Sequence, residues 1–188
     1  MRRFDEENGR DPNVESSAGV AYPREILYAK RLTDWLVRLC PTASEELRLA
    51  ARSQHLCRWT VPRSSYPMTR AGYLRWREDL KQLHAKKAAE ILQEVGYGEE
   101  TIARVRALNL KQDLARDRET QTLEDALCLV FLEYQLADLV RKSSEEKVIN
   151  ALQKAWKKMT PAGQSFALGI SYGPRERALL ERALPCAA

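Results

Sequence analysis

The chain has 188 residues, 44% of them hydrophobic and 30% charged, with a formal net charge of +5. That length suits one well-buried core. The longest uninterrupted apolar run, Ala126 to Leu132, is only seven residues, and the opening residues carry charges without an apolar stretch, so neither a membrane span nor a signal peptide is expected. Cys40, Cys57, Cys128 and Cys186 form no C-x-x-C pair. A reducing, cytoplasmic setting without a zinc ribbon or disulfide framework is the expectation.

Residues 1–21 mix Asp, Glu, Asn, Gly, Ser and Pro without periodicity and read as a disordered leader. Pro23 suits the first turn of a helix, in which Ile26, Leu27, Leu32, Trp35, Leu36 and Leu39 recur at helical spacing up to Pro41. Thr42 or Ser44 can cap a second helix, with Glu45 and Glu46 in its first turn and His55 near its end. Pro62 and Pro67 make Thr60 to Met68 an ordered loop. Helix resumes at Thr69 and runs through His84 to Gly96. A shorter helix follows Gly98, and the charged KQDLARDRE connects to the most apolar helix, Thr122 to Val140. Further helices are predicted over 144–158, 161–170 and 174–184, with Gly173-Pro174 as the last break. No period-2 strand stands out, so the fold class is all-α: a single compact helical domain over 22–140, with C-terminal helices over 141–188 packed on the same domain.

Charge is segregated along this frame. Between Arg52 and Lys87 nine Lys or Arg stand against Glu78 and Asp79, while the rest of the chain is slightly acidic, at 22 basic against 24 acidic residues. Such a window points to an anion-binding surface. Arg58, Arg63 and Arg77 flank the proline-bearing loop and offer guanidinium forks for phosphate, with Trp59, Tyr66 and Tyr73 as flat faces for a base. Alternatively this is a solvated helix face with Trp59, Tyr73 and Trp76 in the core. Gln54 adjoins the cluster, and Lys87, one turn beyond His84, could neutralise a phosphate.

Both histidines lie in the same window. Together with the Glu124-Asp125 pair, His55 and His84 could form a site, and His, His and carboxylate suit Mn, Fe, Ni or Zn. Thr122-x-x-Asp125 also fits a capping box, which would make Asp125 a helix-start residue. An active thiol at Cys57 has no accompanying pattern.

From His84 onward, HAKKAAEILQEVGYGEETIARVRALNLK and the later TLEDALCLVFLE resemble the second half of an HD-domain phosphohydrolase. YAKRLTDWLVRL and LRLAARSQHLCRW resemble that superfamily's first two helices. The resemblance implies a metal-dependent phosphohydrolase site, with Asp125 in place of the distal metal-binding aspartate and Gln54-His55 where the paired His-Asp belongs. Tyr28 stands where the first metal-binding histidine is usual, so the His…His-Asp…Asp set is incomplete here. The stretch over 22–140 also resembles an uncharacterised domain-of-unknown-function family of bacteria and fungi, through Gln54 to Trp59, Pro62 to Pro67, Gly72 to Arg77, His84, and Leu123 to Glu133.

The expectation is therefore an HD-like helical domain that binds a phosphorylated small molecule, a nucleotide in the first instance. Arg58, Arg63 and Arg77 would contact phosphate, Trp59 or Tyr73 the base, and His55, His84 and Asp125, with Glu124 beside them, would bind metal or move protons for phosphoester hydrolysis. The alternative is a non-catalytic RNA-binding or protein-interaction module with a degenerate HD site.

Overall fold

The computed structural model describes residues 1–184 and is helical apart from one two-stranded sheet, as the all-α expectation requires. Cys186 lies outside the described residues. The chain divides into a unit over Met1–Thr120 and a second beginning at Gln121. The residues expected as one helical domain over 22–140 are thus shared between the two units.

In the first unit, α1 (Arg2–Asn8) precedes a hairpin of β1 (Val14–Ser17) and β2 (Val20–Pro23), paired antiparallel with Val14 opposite Pro23. The hairpin turns through Ala18 and Gly19, both at positive φ, which matches the right-handed twist of the strands. Here the structure corrects the expected disordered leader. Phe4 is fully buried, and Arg52 grips Asp5 in a bidentate pair at 2.7 and 2.9 Å. Arg52 lies tens of residues downstream, where local periodicity cannot register it.

Helix α2 (Arg24–Leu39) buries one stripe: Glu25, Ala29, Leu32, Trp35 and Leu36. The Asp11 carboxylate accepts the Glu25 N–H at 3.1 Å, supplying a cap from outside the helix. Helix α3 (Glu45–Ser53) starts at Ser44, whose hydroxyl accepts the Leu47 N–H at 3.1 Å. It ends at Ser53, so His55 falls in the turn beyond it.

Two short 3₁₀ turns, Arg58–Thr60 and Arg63–Ser65, cross to α4 (Arg70–Glu94), which Thr69 caps. The loop can press against the first turn of α4 only because residue 72 is glycine. A Cβ there would come within 2.2 Å of the Pro67 carbonyl oxygen. Further along, α4 buries Trp76, Leu80, His84, Ala88, Ile91 and Leu92, roughly every fourth residue, against α5 (Glu99–Asn109) and α3. Leu32, Leu36, Leu47, Leu49, Leu92 and Leu108 are all under 2% exposed. Burial of each such side chain contributes about 1.5–3 kcal/mol.

Helix α6 (Arg118–Val130) begins earlier than predicted, where the Asp117 carboxylate accepts the Glu119 N–H at 3.0 Å. Thr122 and Asp125 therefore form no capping box; they lie within the helix. The helix expected up to Val140 runs on through a π-helical stretch, Phe131–Gln135, into α7 (Leu136–Lys142). In the second unit α8 (Glu145–Lys158), α9 (Pro161–Leu168) and α10 (Pro174–Ala183) follow close to their expected bounds, with α10 against α7 and α8. Among the described residues no helix is long and apolar enough to cross a membrane.

Candidate functional site

The turn after α3 sets two of the candidate side chains on either side of a strained residue. Cys57 has φ 57° and ψ 26°, left-handed backbone that is uncommon without glycine. It is held there by the Asn8 side-chain carbonyl, which accepts the Cys57 N–H at 3.3 Å, and by the Thr60 hydroxyl, which donates to the Cys57 carbonyl at 2.8 Å. His55 precedes this kink and Arg58 follows it.

Both face Glu25 at the start of α2. Nδ1 of His55 lies 3.1 Å from Oε2 of Glu25, and a guanidinium nitrogen of Arg58 lies 3.7 Å from Oε1. Tyr28, one turn along α2, stacks flat on the His55 ring, with centroids 3.7 Å apart and planes 8° apart. On the buried stripe of α4, the His84 ring centre is 5.7 Å from that of His55. Nδ1 of His84 is 2.8 Å from the Leu56 backbone carbonyl. The sequence-expected pair His55 and His84 is thus brought together, with a carboxylate that the sequence reading missed.

The acceptors fix the tautomers. A carbonyl and a carboxylate only accept, so each neutral ring carries its proton on Nδ1 and leaves a lone pair on Nε2. Burial pushes the His84 imidazole down to about 3, with His55 beside it adding to the effect. Burial likewise lowers His55, against the opposing pull of Glu25. Burial of Glu25 favours its neutral form, but the His55 hydrogen bond, with Arg58 and Arg24, holds the carboxyl below its ordinary range. Near neutral pH the cluster is one carboxylate, two neutral imidazoles and a guanidinium. His84 is buried, whereas the His55 side chain is 26% exposed, so the cluster can be reached from outside.

Other expected residues have different engagements. Gln54 donates to Asn109 at 3.0 Å, and Asn109 donates in turn to the Ser53 hydroxyl at 3.0 Å, a buried link from α3 to α5. Arg63 donates to the carbonyls of Tyr66, Pro67 and Thr69 and so braces the loop. Tyr66 donates to Asp79 at 2.7 Å, and Lys87 pairs with Glu90 at 2.9 Å. Trp59 is half-buried within the first 3₁₀ turn. Arg58 lies over the Trp76 ring at 5.0 Å, and Arg77 lies 5.9 Å from the Tyr73 ring centre. A separate cleft of about 770 Å³ between α4 and α5, lined by Gln93, Tyr97, Ile102 and Arg106 among others, contains none of the expected site residues.

In the second unit, Oδ1 of Asp125 accepts the Thr160 N–H and the Gln121 side-chain amide, both at 3.0 Å, and Oδ2 accepts the Thr160 hydroxyl. That hydroxyl accepts the Gly163 N–H and caps α9, so Asp125 buttresses a helix start. Glu124, also buried, pairs with Lys158 at 2.8 Å. Among the described residues no group of three or more His, Cys, Asp or Glu side chains is arranged to hold a metal ion. Asp125 is thus engaged at the start of α9, and the chemistry that Glu25, His55 and His84 supply by themselves is acid–base.

A sequence signal for Glu25 did exist. It occupies the first position of the α2 stripe Glu25, Ala29, Leu32 and Leu36, so a carboxylate sits at a core position. Buried carboxylates need partners. His55 is that partner, thirty residues away.

A search of curated proteins returned no match to the chain, and a search of solved structures returned none. The family described as a domain of unknown function, DUF4202, matches residues 1–180, which takes in the N-terminal helix and hairpin as well as the histidine cluster. The chain belongs to this DUF4202 family.

Proposed function

We propose that the protein binds a phosphorylated small molecule, a nucleotide in the first instance, at the Glu25, His55, His84 and Arg58 cluster and hydrolyses its phosphoester. The observation that carries this reading is the 3.1 Å contact between Glu25 and His55 Nδ1, with His84 close by. A carboxylate on Nδ1 fixes the imidazole and makes Nε2 a better base. Water donating one hydrogen to Nε2 of His55 and the other to Nε2 of His84 would turn its oxygen lone pairs toward the phosphorus. His55 takes the proton, stabilised as imidazolium by Glu25, and returns it to the leaving oxygen. Arg58 would meet the phosphoryl oxygens. The resemblance to HD-domain phosphohydrolases in the sequence supports the same reaction class.

The experiment is phosphate release from a panel of nucleotides and other phosphate monoesters, with wild type, Glu25→Gln and His55→Ala. Release by the wild type that falls at least about a hundredfold in both variants, the usual worth of a general base, is expected. A panel with neither turnover nor binding overturns the reading.

A further inference from the structure

We infer that the natural ligand is longer than a mononucleotide: the exposed face Arg70, Tyr73, Leu74 and Arg77 of α4 takes a single-stranded nucleic acid that leads into the Arg58 and His55 end of the site. This rests on the phosphoester reading and names its substrate class. Positions 70, 73, 74 and 77 share one face of a helix. Arg70 and Arg77 have no ion-pair partner among the described residues, whereas Arg75 lies 4.0 Å from Asp79. Seven residues at 1.5 Å each set Arg70 and Arg77 about 10 Å apart along the axis.

Between them stands Tyr73, 41% exposed, flanked by Leu74 at 56% and Met68 at 81%. Two guanidinia without an acidic partner, and between them a part-exposed ring that Arg63 and Arg77 border at 6.0 and 5.9 Å, match two phosphates of a strand with a base stacked at Tyr73 between. A mononucleotide offers phosphate at one end only. An acidic protein segment would meet the charge but leave the flat face and the apolar surface unused.

The face is also continuous with the site. The Tyr73 and Trp76 rings are 5.9 Å apart, the Arg58 guanidinium is 5.0 Å from the Trp76 ring centre, and Arg58 reaches Glu25 at 3.7 Å. Trp76 is fixed in this ladder by donating its indole N–H to the Val61 carbonyl at 2.9 Å.

The test is fluorescence anisotropy of the full chain with labelled single-stranded RNA of increasing length, starting from a labelled mononucleotide, and with a labelled polyglutamate peptide. Tyr73→Ala and the double variant Arg70→Ala/Arg77→Ala alter exposed side chains, and circular dichroism confirms their fold. Affinity should rise with strand length, and Tyr73→Ala should weaken the longest strand about tenfold more than the mononucleotide, the usual worth of one stacked base. Strands that bind no tighter than the mononucleotide, or that ignore Tyr73, overturn the inference while retained mononucleotide binding leaves the phosphoester reading standing. Polyglutamate binding that depends on Tyr73, with no strand binding, overturns it in favour of a protein partner. Failure of the phosphoester reading shows separately, as nucleotide binding unaffected by His55→Ala.

Discussion

Nδ1 of His55 meets the carboxylate of Glu25 at 3.1 Å, across thirty residues of sequence, and this contact joins the start of α2 to the turn after α3. It is a part-buried contact at a point where the backbone is strained at Cys57 and where Asp11 and Asn8 supply the missing backbone partners. Strain of this sort persists only where surrounding contacts over-determine it. Glu25→Ala leaves His55 Nδ1 and Arg58 without their partner. An unsatisfied donor of this kind costs about 1–3 kcal/mol. Glu25→Gln keeps an acceptor for Nδ1 and is expected to cost less, so chemical denaturation of the two variants should separate them in that order.

His84 predicts a pH dependence of stability. In the fold it stays neutral down to about 3, whereas the unfolded imidazole takes its proton near 6.5. The unfolded chain binds more protons inside that window, so the full stability is present above 6.5 and declines as the pH falls, by about 1.4 kcal/mol per unit. Between about pH 7 and about pH 5 this residue should remove about 2 kcal/mol. His84→Gln does not titrate. Urea unfolding of both proteins at the two pH values should show the larger loss in wild type, and equal losses count against a neutral buried His84.

The first helix should be necessary for stability. Phe4 is 1% exposed, and truncation of a buried Phe to Ala costs about 3–5 kcal/mol. Arg52→Lys should also destabilise, since an ammonium cannot reproduce the two-point contact with Asp5. A melting temperature unchanged by Phe4→Ala would restore the disordered-leader expectation.

Asp125 is expected to act through the start of α9. Asp125→Ala strips the Thr160 N–H and hydroxyl of their acceptor and should cost about 1–3 kcal/mol. Gly163→Ala should destabilise the same joint, because its Cβ would sit 2.8 Å from the Asp125 carboxyl carbon. Phosphate release per folded molecule should survive Asp125→Asn, and its abolition would make Asp125 part of the chemistry.

The sequence made the helices legible because their signals are local: Ser44 and Thr69 as caps, Gly96 as a stop at φ 88°, and apolar stripes at helical spacing. It also singled out His55, His84 and Arg58, since the histidines are rare and the basic window is compact. What stayed hidden depends on distant partners. Asp5 is held by Arg52 and Asn8 meets Cys57, both beyond the first forty residues, so residues 1–21 look unstructured on composition alone. Arg63 looks like a phosphate contact until the loop folds and three carbonyls surround it. Glu25 looks like an ordinary first-turn acid until His55 arrives.

The most direct test of the central claim is the ¹⁵N shift of the two imidazoles, read by NMR as the wild-type protein is titrated with the nucleotide that it binds most tightly. Both rings should begin with the proton on Nδ1, and both Nε2 resonances should move on binding while the Glu25→Gln variant binds more weakly. Nε2 resonances that do not move at saturation would place the ligand elsewhere and contradict the assignment of His55 and His84 to the site.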